Sequence, residues 1–233
     1  MISDLPNQLD AAGHSGCSHQ QVVQPHPLVT IYCADCREVL PRLQWDVMIS
    51  DPPYGINHAS GWEGPYEGQV IHGDANTELR EWALTINGDR PAAIFGTWRV
   101  PHPANVRAKL VWDKGPASGM GDLAFPWKPS WEEIYIIGSG WAGRRDEGVL
   151  RANMVTWASK GRSHPNQKPT DLMVQIIRKA PAGVILDPFM GSGSTGIACV
   201  TMGRQFIGVE RDPIHFETAL QRFKSEAAQG KLW

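Results

Sequence analysis

The segment GVILDPFMGSGSTGIACVTMG, residues 183 to 203, constrains the fold more than any other. A short apolar run ends in an acid, a glycine-rich turn follows, and an apolar helical stretch stops at Gly203. A strand that feeds directly into a covering helix belongs to a parallel α/β sheet rather than to a hairpin. The chain repeats this alternation. LVTIYCA, DVMIS, AAIFG, KLVW, EEIYIIG and QFIGVE read as strands, with EEIYIIG near a sheet edge. CREVLPRL reads as a short helix, and TELREWALTI places Leu79, Trp82, Ala83 and Ile86 on one helical face. A third helix opens at Pro169, and Asp212 caps a last one that begins at Pro213. The predicted fold class is α/β, a doubly wound, mostly parallel sheet. One domain over residues 28–233 is expected, with residues 1–27 as a mobile polar arm and loops at about 115–130 and 138–163.

Composition narrows the setting. With 233 residues, 42% of them hydrophobic, the chain can build a sizeable core. No apolar run reaches the length of a membrane span, and the N-terminus lacks a basic-then-apolar signal pattern. The four cysteines are too few for a disulfide scaffold. A soluble, reducing, cytoplasmic setting is expected. Cys33 and Cys36 form a CxxC with His14, Cys17 and His19 upstream. Cys33 falls in a strand and no second CxxC exists, so no metal is expected. Net charge is -2, but Arg99 to Lys179 carry 13 Lys or Arg against 7 Asp or Glu. That local excess suits a face for phosphates.

Two strands end in Asp-Pro followed by an aromatic, Asp51-Pro52-Pro53-Tyr54 and Asp187-Pro188-Phe189. Open α/β sheets bind ligands beyond the carboxyl ends of their strands, so both motifs are expected to face one crevice. Gly191, Gly193 and Gly196 form a GxGxxG between strand and helix, where backbone can approach a ligand and a helix N-terminus offers free N–H groups. Glu210 ends the next strand and can accept both hydroxyls of a ribose. A nucleoside-type cofactor follows. A dinucleotide fingerprint usually opens its domain, whereas this one comes last, and Asp187 suits a ligand with an ammonium group. Both points favour S-adenosylmethionine. In the first motif, two successive prolines leave a tip that offers acceptors and no donors. The Asp51 carboxylate and Pro52 carbonyl then match the two N–H donors of an exocyclic base amine, and Tyr54 can stack on that base.

These residues resemble a family. DPPYG matches the (Asp/Asn/Ser)-Pro-Pro-(Tyr/Phe/Trp) motif of the amino-group DNA methyltransferases, and DPFMGSGSTGIA resembles their cofactor motif. SHPNQKPTDLMVQII is similar to the segment before that motif, ADC at 34–36 to the strand end that meets the cofactor adenine, and KLVWDKG and WEEIYIIG to later strand motifs. The order, catalytic motif first and cofactor motif last, is that of the permuted beta group. The resemblance covers roughly residues 29–225 apart from the two loops, with Ala34 in place of a common glycine. It implies a Rossmann-like class I methyltransferase fold, circularly permuted.

It also implies methyl transfer from S-adenosylmethionine to an exocyclic nitrogen of a flipped base in double-stranded DNA, with adenine N6 favoured by the Asp-headed motif and cytosine N4 the alternative. Asp51, Pro52, Pro53 and Tyr54 are the expected catalytic residues. Asp35, Cys36, Asp187, Phe189, Gly191, Ser192, Gly193 and Glu210 are expected at the cofactor, with Lys168 and Thr170 at its methionine end. Arg144, Arg145, Arg151, Lys160 and Arg162 are expected to contact DNA. Residues 56–72, with Trp62 and Tyr66, are expected to form a flap, and His164 resembles a motif residue rather than a base. Family analogy makes a homodimer plausible and leaves a restriction endonuclease partner open. Rival readings are a dinucleotide oxidoreductase, a catalytically silent DNA-binding or cofactor-sensing module, and methylation of RNA or a protein glutamine.

Overall fold

The computed structural model describes residues 20–56, 73–116, 118, 123–155 and 167–228. The elements in chain order are β1 (Gln21–His26), β2 (Val29–Cys33), α1 (Cys36–Val39), β3 (Val47–Ser50), α2 (Glu78–Asn87), β4 (Ala92–Gly96), β5 (Val106–Asp113) and β6 (Trp131–Ile137). They continue as β7 (Val149–Arg151), α3 (Thr170–Ile177), β8 (Ile185–Asp187), α4 (Ser194–Thr201), β9 (Phe206–Glu210) and α5 (Pro213–Ala228). All nine strands form one sheet in the order β1-β2-β9-β8-β3-β4-β6-β5-β7. The five strands β2, β9, β8, β3 and β4 run parallel. β6 is antiparallel to both β4 and β5, and β7 is parallel to β5.

Side chains alternate across each strand, so the sheet buries two faces. Val47 and Ile49 of β3 join a cluster with Leu172, Ile176, Ile197, Phe216 and Phe223 from α3, α4 and α5. Met48, between them, faces Val39, Leu40 and Ala83 on the side of α1 and α2. Each such fully buried side chain contributes about 1.5–3 kcal/mol. Burial on both faces is why these strands read as continuous apolar runs.

Three expectations are corrected. Residues 21–26, expected in the mobile arm, form β1 and pair antiparallel with β2, so the sheet begins before residue 28. EEIYIIG is not near an edge: β6 lies between β4 and β5. Residues 149–151, within an expected loop, form the edge strand β7. A three-residue strand next to glycine carries too little pattern to be read as one.

The chain winds outward from β8 to β9 and in the other direction from β3 to β4. The switch point is therefore between β8 and β3, which are direct neighbours. Ligands of open α/β sheets bind beyond the carboxyl ends at this point. That margin is the front edge, and it carries Cys33, Ser50, Gly96, Asp113, Asp187 and Glu210 at the strand ends.

Candidate active site

Asp51 and Asp187 leave adjacent strands at the switch point. Asp187 is spent inside the protein. Its Oδ1 accepts from Ser50 Oγ at 2.6 Å and from the Phe189 N–H at 3.1 Å, and its Oδ2 accepts from Thr195 Oγ1 at 2.6 Å. The residue is 3% exposed. The expectation that its carboxylate meets a ligand ammonium is corrected: it ties the end of β3 to the first turn of α4.

Burial is the largest influence on Asp187 and pushes its carboxyl up to about 6, although the hydrogen bonds favour the anion. A carboxyl raised in the fold binds its proton more tightly there than in the unfolded chain. Its stabilising contribution is full below the ordinary 3.8 and is lost as pH rises through about 6. Asp187→Asn stays neutral throughout. Its melting temperature relative to the native chain should therefore rise between pH 4 and pH 7, as read by calorimetry across that range. A difference independent of pH contradicts the assignment.

Asp51 sits one residue past β3 in a charged cluster. Its Oδ1 accepts from the Tyr54 hydroxyl at 2.6 Å, and its Oδ2 pairs with Lys168 Nζ at 2.8 Å. Lys168 Nζ also reaches Glu132 Oε2 at 2.7 Å, and Glu132 Oε1 pairs with Lys114 Nζ at 2.6 Å. Burial raises Asp51 above the ordinary carboxylate range, Lys168 opposes that shift, and Glu132 adds to it. Burial also acts upward on Glu132, but Lys168 and Lys114 outweigh it and hold that carboxyl at about 2. For Lys168 burial acts downward, and the two carboxylates overcome it, so its ammonium is held above its ordinary value. The Tyr54 hydroxyl is raised by burial and by both acids, and it remains a donor.

The turn after the motif is fixed by Gly55, whose N–H donates to Asp74 Oδ1 at 2.7 Å. Gly55 has φ +78°, and a Cβ there would meet the Asn76 backbone at 2.6 Å. Only glycine fits this left-handed, crowded position.

Across the switch point, Glu210 accepts from the Gly191 N–H at 2.9 Å and from the Asp212 N–H at 2.8 Å. Burial raises its carboxyl, with His215 opposing. Gly191 has φ +51°, and among the described residues beyond its chain neighbours no atom lies within 4 Å of where its Cβ would be. The turn therefore presents backbone, clear space and a carboxylate together, which fits a ribose-bearing ligand. Gly193, at the N-cap of α4, donates to the Met190 carbonyl at 2.8 Å. Phe189 packs with the cluster on the α1 and α2 side.

Asp35 caps α1 by accepting from the Arg37 N–H at 2.9 Å, and its oxygens also take Arg37 Nε and Nη2 at 3.0 and 2.7 Å. Burial acts upward on Asp35, but the Arg37 bonds hold it below its ordinary value. Cys36 is buried, which together with Asp35 pushes its thiol up to about 12 and leaves it unreactive.

The structure redistributes several expected residues. Lys168, expected at the methionine end of a cofactor, has its ammonium on Asp51 and Glu132. Thr170 opens α3. Arg144 and Arg145, expected on the DNA, lie at the opposite margin of the sheet. β6 runs antiparallel, so its end delivers residues 138–148 to the back edge. There Arg144 and Arg178 both pair with Asp146, and the Ala142 N–H donates to the Lys179 carbonyl. An open depression lined by Arg144, Arg145, Asp146, Glu147 and Arg178 starts there and extends to Val149 and Leu150 of β7. Arg151 ends β7 beside Asp113 on the front edge, pairing with Glu147 at 2.9 Å. Lys160, Arg162, His164, Trp62 and Tyr66 lie outside the described residues.

Five residues escaped the sequence reading. Ser50, Thr195, Glu132 and Lys114 are described above. The fifth is Arg222 of α5, which donates to the Ser192 carbonyl and to Ser192 Oγ at 3.1 Å, and which burial lowers to about 10. Glu132 carried a legible signal. It opens an apolar strand beside Glu133, and strand alternation sends one acid to each face. Glu132 meets Lys114 and Lys168, while Glu133 meets Lys109 and Tyr135.

Among the described residues no group of three or more His, Cys, Asp or Glu could hold a metal, and no helix is long and apolar enough to cross a membrane. A permuted class I methyltransferase sheet, with an acid-proline-proline-aromatic motif opposite a glycine turn, defines the class. Residues 127–221 match the family model described as DNA methylase. Over that segment the chain is similar to the amino-group DNA methyltransferases.

Over 81 residues it is 38% identical to the type II methyltransferase M2.DpnII of Streptococcus pneumoniae, a stretch covering 34% of this chain and 29% of that one. It therefore aligns with under a third of that relative's length. It is 28% identical over 201 residues to the putative methylase YubD of Escherichia coli K12, covering 76% of this chain and 82% of that one. Of solved structures, the M1.HpyAVI complex with S-adenosylmethionine superposes with a TM-score of 0.59 at 27% identity, covering 83% of this chain and 99% of that one. The cytosine-N4-specific PvuII DNA methyltransferase shares the fold, with a TM-score of 0.60 at 14% identity over 87% of this chain and 93% of that one.

Proposed function

We propose that this protein methylates the exocyclic amine of a flipped base in double-stranded DNA, with adenine N6 as the target. The observation that carries the reading is the convergence of the Asp51 and Tyr54 side chains with the Gly191–Glu210 turn on neighbouring strands of one crevice. S-adenosylmethionine would supply an electrophilic methyl group on a sulfonium. The chain's own residues position the acceptor. A base amine is a poor nucleophile because its lone pair is delocalised into the ring. Hydrogen bonds from it to the Asp51 carboxylate and the Pro52 carbonyl favour a pyramidal nitrogen in a fixed direction, so most of the catalysis is positioning. Pro53 stiffens the tip, and the Tyr54 hydroxyl steadies Asp51.

Glu210 would accept from the ribose with the lone pairs that Gly191 and Asp212 leave open. Asp35 would take the adenine amino group in exchange for a bond to Arg37, with the Cys36 backbone beside it. Phe189, Ser192 and Gly193 complete that wall, and Thr170 stands at the methionine end. Adenine is favoured over cytosine by the acid that heads the motif. Incubation with plasmid DNA and labelled cofactor, followed by nucleoside mass spectrometry, should yield N6-methyladenine. N4-methylcytosine would overturn the adenine assignment, and unmodified DNA the activity.

The front edge also carries exposed aromatics. Trp98 follows β4 and is 65% exposed; Phe125 and Trp127, at 59% and 73%, precede β6 with their rings 5.5 Å apart. Bases stack on such rings at about 1–3 kcal/mol each. Trp127→Ala should raise the Michaelis constant for DNA on the order of tenfold, with little dependence on salt. Arg151→Ala should weaken binding in a manner that fades as salt rises. Both follow from initial rates at two ionic strengths, and equal salt sensitivity of the two variants contradicts the division of roles.

A further inference from the structure

Both oxygens of Asp51 are engaged, one by the Tyr54 hydroxyl and the other by the Lys168 ammonium. Lys168 sits in a built seat. Its Nζ lies 4.8 Å from the centre of the Phe95 ring, 5.5 Å from Trp112 and 5.8 Å from Tyr54. Phe95 and Trp112 are fully buried. Glu132 completes the seat at 2.7 Å and is itself anchored by Lys114 on its other oxygen. An ammonium and a base amine are both N–H donors, and they compete for the same carboxylate oxygen.

We propose that Lys168 is a positioning residue that holds the amine subsite of Asp51 until the target base enters, and that Glu132 retains the displaced ammonium. This rests on the methyl-transfer reading above. The exchange is cheap because Lys168 keeps a carboxylate and three ring faces when it yields Asp51 Oδ2, so no charge is left buried alone. Until then the cation keeps the carboxylate ionised against Glu132, Asp187 and the surrounding burial, with the Tyr54 hydroxyl as its other partner. Without Glu132 the ammonium would have Asp51 as its one remaining anion and would yield it reluctantly.

Three variants of the full chain test this: Lys168→Met, Glu132→Gln and the double variant. Each is first checked by thermal melting and by calorimetric binding of S-adenosylmethionine. Cofactor affinity should stay within about threefold of native for all three, because the ammonium serves Asp51. A rise of tenfold or more in Lys168→Met would return Lys168 to the cofactor and overturn the proposal.

On DNA, Glu132→Gln should lower kcat at least tenfold with a smaller change in the Michaelis constant for cofactor. The double variant should recover activity relative to Glu132→Gln alone. In Lys168→Met the acid limb of the kcat/KM profile should move to higher pH, because Asp51 loses the cation that keeps it ionised. Effects that multiply without recovery, or an unmoved acid limb, would overturn the proposal. Native protein that fails to methylate DNA would instead sink the functional reading on which it rests, an outcome seen before any variant is compared.

Discussion

Asp51→Ala is expected to lower methyl transfer by roughly a thousandfold or more while leaving cofactor affinity nearly unchanged. The magnitude reflects the position of the carboxylate. It is the charged acceptor at the carboxyl end of β3, and its loss leaves an incoming amine with the Pro52 carbonyl alone. The fold should survive, because Lys168 retains Glu132 at 2.7 Å and Asp51 is 29% exposed. Asp51→Asn keeps one carbonyl acceptor and should retain a measurable fraction of the rate. Single-turnover kinetics and calorimetric cofactor binding decide the matter. Near-native turnover in Asp51→Ala would remove the residue from the chemistry.

Glu210→Ala should act on the opposite half of the crevice. Two backbone N–H groups, of Gly191 and Asp212, lose their acceptor together with the ribose. Hydrogen bonds to a charged group contribute about 1.5–3 kcal/mol, so the dissociation constant for S-adenosylmethionine should rise roughly 10- to 150-fold. At saturating cofactor, kcat should fall much less. Calorimetry and kinetics at high cofactor separate the two effects, and an unchanged dissociation constant would count against the ribose assignment.

What the sequence made legible was whatever is written in local pattern. The parallel core strands were readable because burial on both faces makes them uninterrupted apolar runs. The switch point was readable because two of those runs end in Asp-Pro. The glycine turn was readable because Gly191 and Gly193 adopt positive φ that other residues rarely take. The rest depends on distance in space. Lys168 is 117 positions from Asp51, and no spacing rule joins them; their contact arises because α3 begins beside the end of β3. Ser50 and Thr195 look like ordinary small polar residues until the fold brings both to Asp187. Arg144 and Arg145 stand apart from the crevice for a topological reason. A basic stretch after a strand is at the site only if that strand runs parallel to its neighbours, and β6 does not.

The reversal of β6 has a consequence for how the proposed enzyme could be re-engineered. Of the connections in this half of the chain, those from Asp113 to Trp131 and from Arg151 to Thr170 begin and end on the front edge. The connection from Ile137 to Val149 starts on the back edge and returns along β5 to Val111. A module inserted in either of the first two would extend from the edge on which DNA is proposed to bind. Grafting just after Ile137 would enlarge the protein on the back edge, which makes that stretch the natural place for a fusion or a reporter.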